Sequence, residues 1–199
     1  MTEKSADQAR DLAELIVQLS RTAHGYVSGL SPAQWSVLRY LDRANRFSST
    51  VSAFAEFHAT TRGTASQTVK SLVERGYVRK ERSKADGRSA ILELTASGRK
   101  VLEQDPFSAL IDAAAELPVG LSTQTLKGLQ RLLTELQKRD SLSSFGKCAD
   151  CEYLGEAPGQ DGNERDGASF VCALMDERLQ EIDLAEICAN FRPPGANSR

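Results

Sequence analysis

Histidine is close to absent from this chain. His24 and His58 are the two it carries in 199 residues, and no nucleophile has either as a partner, so there is no catalytic histidine to build on. A glycine-rich phosphate loop is missing, as are paired carboxylates in a recognisable motif, and the expectation is a protein that is not an enzyme. Long apolar runs are missing too: none approaches the roughly 18 residues a membrane-spanning helix needs. The amino terminus, MTEKSADQARDLAELIVQLS, scatters charge among its apolar residues and has no signal-peptide core. These absences predict a cytoplasmic protein with no membrane partner. Cysteine is missing from the first 147 residues, and all four thiols, Cys148, Cys151, Cys172 and Cys188, lie beyond them.

What is present is ordinary in bulk, with 40% apolar and 26% charged residues and a formal net charge of −2. The charge is not evenly spread. Residues 1–59 hold six basic and six acidic side chains, residues 60–100 hold ten basic against four acidic, and residues 148–199 hold four basic against eleven acidic. A basic island inside a near-neutral chain is the electrostatic footprint of a nucleic-acid-binding element, although a solvated surface gives the same count.

Periodicity places a helix over residues 5–29, with Leu12, Leu15, Ile16 and Leu19 at spacings of three and four. In SPAQWSVLRYLDRA, Ser31 is the expected N-cap, Pro32 suits the first helical position, and Trp35, Leu38 and Leu41 point to the core. A short helix follows from about Thr50 to Ala59, with Val51, Phe54 and Phe57 inward and His58 exposed or next to a cap. TTRGTASQTVKSLVERG gives a fourth helix, polar and small at its start, anchored by Val69, Leu72 and Val73 and ending at Gly76. YVRKER and AILELT are strand-like runs joined by the turn-rich SKADG. Helix then returns from Thr95 to about Leu117, broken near Pro106, and after a loop at LPVG comes a last helix capped by Ser122, with Leu126, Leu129, Leu132, Leu133 and Leu136 on one side. Helix, helix, helix, hairpin is the order of a winged helix-turn-helix.

The run LVERGYVRKERSKADGRSAILELTASGRKVL, with its DGRS wing tip, resembles the multiple antibiotic resistance regulator (MarR) family of bacterial transcription factors, and the resemblance extends from about residue 8 to residue 140. It implies a mainly α fold with a small β-hairpin wing, a homodimer, and a double-stranded DNA partner carrying a pseudo-palindromic operator. The organisation it suggests is a dimerisation helix in residues 1–30, a DNA-binding lobe in 31–100, dimerisation helices in 101–140 and a cysteine-rich metal-binding tail in 141–199. Exposed early positions of the fourth helix are then Thr61, Arg62, Gly63, Thr64, Ser66, Gln67 and Lys70. Arg62 and Gln67 suit guanine and adenine edges, and the hydroxyls and Lys70 suit phosphates. In the wing, Arg82, Lys84 and Arg88 are expected to contact DNA. The resemblance puts Arg88 at the minor groove with Asp86 orienting it, while a pair that only stabilises the turn is the plainer alternative. Members of the family commonly bind small phenolic or carboxylate effectors, and nothing in residues 8–140 identifies one here.

The cysteine tail lies outside that family pattern. Cys148 and Cys151 form a CxxC pair, Cys172 follows after twenty residues and Cys188 after fifteen more. In a reducing compartment such clusters are more often metal ligands or reactive thiols than disulfides. Four thiols complete a ligand set for an iron-sulfur cluster or for one zinc ion, and one CxxC pair with two isolated cysteines, in place of two CxxC knuckles, leans towards the cluster. Disulfides in a sensing cycle are a third possibility. The segment after Cys172 is expected to form a turn and a helix ending near Cys188. Because the tail begins just after the leucine-rich helix, its ordering is expected to alter the spacing of the recognition helices. Three functions compete: a DNA-binding regulator sensing redox state, oxygen or iron through the thiols; the same regulator with a structural zinc tail and small-ligand control; and an adaptor or enzyme using the winged helix as a scaffold.

Overall fold

The computed structural model describes residues 3–22, 29–82, 90–140, 143–157 and 170–195. Seven α-helices among them carry the first 140 residues: α1 (Glu3–Thr22), α2 (Pro32–Arg43), α3 (Val51–Phe57), α4 (Arg62–Glu74), α5 (Ala96–Leu102), α6 (Ser108–Ala115) and α7 (Val119–Asp140). Between α4 and α5, strands β1 (Val78–Arg82) and β2 (Ala90–Leu94) pair antiparallel, Val78 opposite Leu94 and Arg82 opposite Ala90. None of the described helices is long and apolar enough to cross a membrane.

Helix α2 starts as its sequence dictates. The Gln34 N–H donates to Ser31 Oγ (3.3 Å) and the Ser31 N–H donates to Gln34 Oε1 (2.8 Å), a reciprocal capping box with Pro32 at the first position. Its inward face carries Trp35, Val37 and Leu38, fully buried against Val69 and Leu72 of α4 and Leu92 of β2. Arg39 meets Asp105 at 2.7 Å and lies over the Phe107 ring, fastening α2 to the α5–α6 corner.

The turn out of α4 shows why two glycines are needed. Gly76 has φ +74°, its N–H donates to the Val73 carbonyl, and the Tyr77 N–H donates to the Leu72 carbonyl, the closure a left-handed residue permits. The Tyr77 carbonyl then accepts from the Thr95 N–H (3.0 Å) at the base of the wing. A Cβ on Gly98 would sit 2.1 Å from that carbonyl oxygen. Gly98→Ala therefore forces α5 away from the wing base, with an expected destabilisation of about 3 kcal/mol in chemical denaturation. A change below about 1 kcal/mol would mean that the corner relaxes freely.

Several expectations are corrected. Helix α3 ends at Phe57 rather than Ala59, because Ala59 turns into the left-handed region at φ 47°. Phe57 is 36% exposed rather than inward, with its ring against Tyr40 and Phe145. Helix α7 begins at Val119, so half of LPVG is helical and Ser122 is not its cap; the Ser122 N–H already donates to the Pro118 carbonyl (2.9 Å). The last part of the first predicted helix, residues 23–28, falls outside the described residues, as does His24.

The tail differs most. Among the described residues no α-helix follows Cys172. Instead β5 (Phe170–Cys172) pairs with β6 (Glu177–Leu179) and, on its other side, with β4 (Leu154–Glu156), while β3 (Gly146–Lys147) pairs with β7 (Ile187–Cys188). A short 3-10 turn, Glu181–Ala185, leads into β7. Alternation wins over the helical period because Leu154, Phe170, Cys172 and Leu179 all face one small apolar cluster with Cys148, Cys188 and Phe47. Phe47 belongs to the α2–α3 turn, so the tail packs against the lobe. Ala44 bridges to Ile187, the Asn45 N–H donates to the Ile187 carbonyl (2.9 Å), and the Ala189 N–H donates to Ser48 Oγ (2.7 Å). Further attachments run from Ser143 and Phe145 to Glu56 and Phe57 of α3 and to Gln137 of α7.

Candidate nucleic-acid interface and thiol centre

Helix α4 presents a polar face whose groups are only lightly committed. Thr61 caps it, accepting from the Thr64 N–H (3.1 Å), and the two hydroxyls lie 2.9 Å apart. Thr61, Arg62, Gly63, Thr64, Gln67 and Lys70 are exposed, Ser66 is half-buried, and Ala65, Val69 and Leu72 hold the opposite face in the core. Lys70 lies 3.8 Å from Glu74 at a solvent-exposed i,i+4 spacing, an attraction worth about 0.3–0.5 kcal/mol that an incoming phosphate easily displaces. The structure thus brings the predicted α4 residues onto one surface. Of the wing residues, Lys84 and Arg88 lie outside the described residues, as does Asp86. Arg82 closes β1, opposite Ala90.

A second surface is apolar. Leu126, Leu129, Leu132, Leu133 and Leu136 of α7 are between 38% and 58% exposed, Leu12, Leu15 and Leu19 of α1 are similarly bare, and α6 buries none of its residues. This is more exposed leucine than a solvated helix surface ordinarily carries. A cleft of about 680 Å³ runs between α1, α2 and α6, with Arg39, Tyr40, Phe57, Asp105 and Phe107 in its wall.

The third feature is the thiol centre. All four cysteines line one partly open pocket, together with Asn45, Phe47 and Leu179. They are free thiols, Cys148 and Cys188 buried, Cys151 and Cys172 half-buried. The Cys148 thiol donates to Cys188 Sγ, which also receives the Asn190 N–H (3.4 Å) and lies beside Asn45 and Ser48. These donors, Cys148 foremost, pull the Cys188 thiol down to about 5, while the same contact and burial push Cys148 up. Among the described residues no three His, Cys, Asp or Glu side chains already stand as a finished metal-ligand group. The centre is a cluster of thiols around a cavity, with two of the four still partly turned to solvent.

Residues 28–89 match the model of the MarR family. Over these residues the chain is similar to the MarR family. No curated protein sequence matches the chain. Solved structures similar to it include the transcriptional regulator BldR from Sulfolobus solfataricus, at 20% identity over 68% of this chain and 99% of that one, with a TM-score of 0.51. A MarR transcriptional regulator from Methanosarcina mazei Go1 aligns at 21% identity over 65% of this chain and 98% of that one, with a TM-score of 0.54. Sco3205, a MarR-family transcriptional regulator from Streptomyces coelicolor solved in complex with DNA, aligns at 22% identity over 68% and 88% of the two chains, with a TM-score of 0.55. At these identities the likeness is one of fold.

Within the winged lobe, sequence reasoning missed the α2–α3 turn. Asn45, Ser48 and Ser49 are the buried polar side chains among the described residues, at 2%, 0% and 7% exposure. Asn45 Nδ2 donates to Cys148 Sγ at 3.5 Å, and its Oδ1 is buried with no hydrogen-bond partner, an arrangement that costs about 1–3 kcal/mol. The only signal in the sequence is a polar NRFSS between two apolar helices, which reads as an ordinary loop.

Proposed function

We propose that the chain is a homodimeric DNA-binding transcription regulator, reading a pseudo-palindromic duplex through α4 and the wing, whose affinity is set by a metal bound at the four thiols. The observation that carries the DNA reading is the exposed Arg62, Gln67 and Lys70 face of α4 on a MarR lobe. The relatives solved with DNA, Sco3205 and MepR from S. aureus among them, support it. The bare leucines of α1 and α7 support the homodimer. Arg82 at the end of β1 adds a basic side chain, and the reading extends to Lys84 and Arg88 on their sequence alone.

For the metal, the packing favours one ion over a cluster. All four thiols line one pocket, and two of them, Cys148 and Cys188, are already buried in it side by side. Tetrahedral zinc at about 2.3 Å from each sulfur holds its thiolates about 3.8 Å apart, whereas an iron-sulfur cluster puts iron and sulfide between them and spreads them further. Zinc is therefore the favoured occupant, and the iron-sulfur centre that the spacing suggested is the second reading. Binding either would draw Cys151 and Cys172 inward.

Selection from random duplexes by anaerobically purified protein tests the function. It should enrich a two-half-site sequence. Arg62→Ala and Gln67→Ala should each cost about 1–3 kcal/mol and relax preference at defined positions, while Lys70→Ala weakens all sequences alike. No enrichment of any duplex would overturn the DNA reading. Iron, zinc and sulfide analysis of the same sample separates the two metal readings: equimolar zinc without sulfide supports the single ion, and iron with sulfide supports the cluster.

A further inference from the structure

We infer that Asn45 is the positioning residue through which the thiol centre acts on the DNA-binding lobe, its amide N–H holding Cys148 on one side and its backbone setting the wing on the other. The inference rests on the thiols being a metal site. Three observations carry it.

Asn45, Ser48 and Ser49 are buried in this one turn, and while both serine hydroxyls are hydrogen-bonded within the fold, Asn45 keeps a buried oxygen without a partner. Asn45 lines the thiol cavity and gives its amide N–H to Cys148 while Oδ1 lacks any partner. Finally, the turn is wired to the wing. The Asn45 carbonyl accepts from the Ser48 N–H (2.9 Å), the Ser49 N–H (3.1 Å) and Ser49 Oγ (3.0 Å), and the Ser49 carbonyl accepts from the Leu92 N–H of β2 (2.7 Å). Ser48 Oγ meanwhile accepts from Ala189, the residue after Cys188. From Cys148 to β2 there is an unbroken series of short contacts through Asn45 and Ser49.

Metal ligation turns Cys148 into a metal-held thiolate. An N–H to a charged acceptor is shorter and stronger than one to a neutral thiol, so ligation fixes the Asn45 amide and with it the Ser49 carbonyl. The metal-loaded and metal-free chains then hold the wing with different firmness, and two states of one element are what coupling between distant sites requires. The metal need not touch the dimer helices at all.

The test uses the full chain, zinc chloride as the only added metal, and a duplex recovered from the random-sequence selection. Operator affinity is measured for zinc-loaded and chelator-stripped protein, alongside zinc affinity by competition with a chelator. Wild type should differ at least about fivefold between the two states. Asn45→Ala should still bind zinc, with affinity weakened about 10- to 100-fold, and its loaded and stripped forms should differ by less than about twofold. Retention of both wild-type values by Asn45→Ala overturns the inference and leaves the metal site standing. A wild type that binds no metal fails earlier and overturns both. If Asn45→Ala does not fold, hydrogen exchange on the wild type decides: zinc should slow exchange at the Leu92 and Ala189 amides about tenfold, and unchanged exchange at Leu92 overturns the coupling.

Discussion

Replacing Leu129 and Leu133 together with glutamate is expected to leave the winged lobe folded but the chain monomeric, and to lower affinity for a two-half-site duplex by at least about 100-fold. The two leucines lie four residues apart on α7, both more than 40% exposed and far from the core around Trp35. Removing them therefore takes little from the fold. A second recognition helix held on the same dimer binds its half-site as an intramolecular event, and that gain disappears when the dimer does. Light scattering gives the mass and a gel-shift titration gives the affinity. A dimer that persists with both glutamates would place the interface elsewhere, and a monomer with unchanged affinity would remove the need for one.

The second large effect is expected at the thiols. Cys188→Ser should lower zinc affinity by roughly 100-fold, because one ligand of four supplies about a quarter of the ~10–16 kcal/mol typical of such sites. Cys188 is also the residue of β7 that pairs with Gly146 and follows Ile187, the strand that docks on the α2–α3 turn. Loss of the metal should thus loosen the tail from Asn45 and Ser48 and speed proteolysis there before the lobe unfolds. Equal zinc affinity in wild type and Cys188→Ser would show that this cysteine is not a ligand.

How much was legible in the sequence follows the range of the forces involved. Ser31 with Pro32 announces the start of α2 and Gly76 the end of α4 because capping is local chemistry, and the structure places each where the sequence pointed. The winged lobe was readable for the same reason, as was the outward face of α4. The start of α7 was misjudged because a proline carbonyl serves as well as a serine hydroxyl for its first turn. The tail was misjudged because ERLQEIDLAEIC carries enough helix formers to imitate a helix. What decides is a sheet with partners near residues 154 and 170 and a shared face with Phe47, which no local window contains. Asn45 was invisible for a related reason: its burial is created by a segment more than a hundred residues away.

The account stands or falls on whether the thiol centre and the DNA surface are one system. The measurement is the affinity of anaerobically purified full-length protein for its selected duplex, taken before and after the metal is removed by a chelator and again after it is restored, at one fixed salt concentration. The account requires at least about a fivefold change that reverses on restoring the metal. Equal affinity in all three states would contradict it, leaving a DNA-binding lobe with an independent metal-stapled tail.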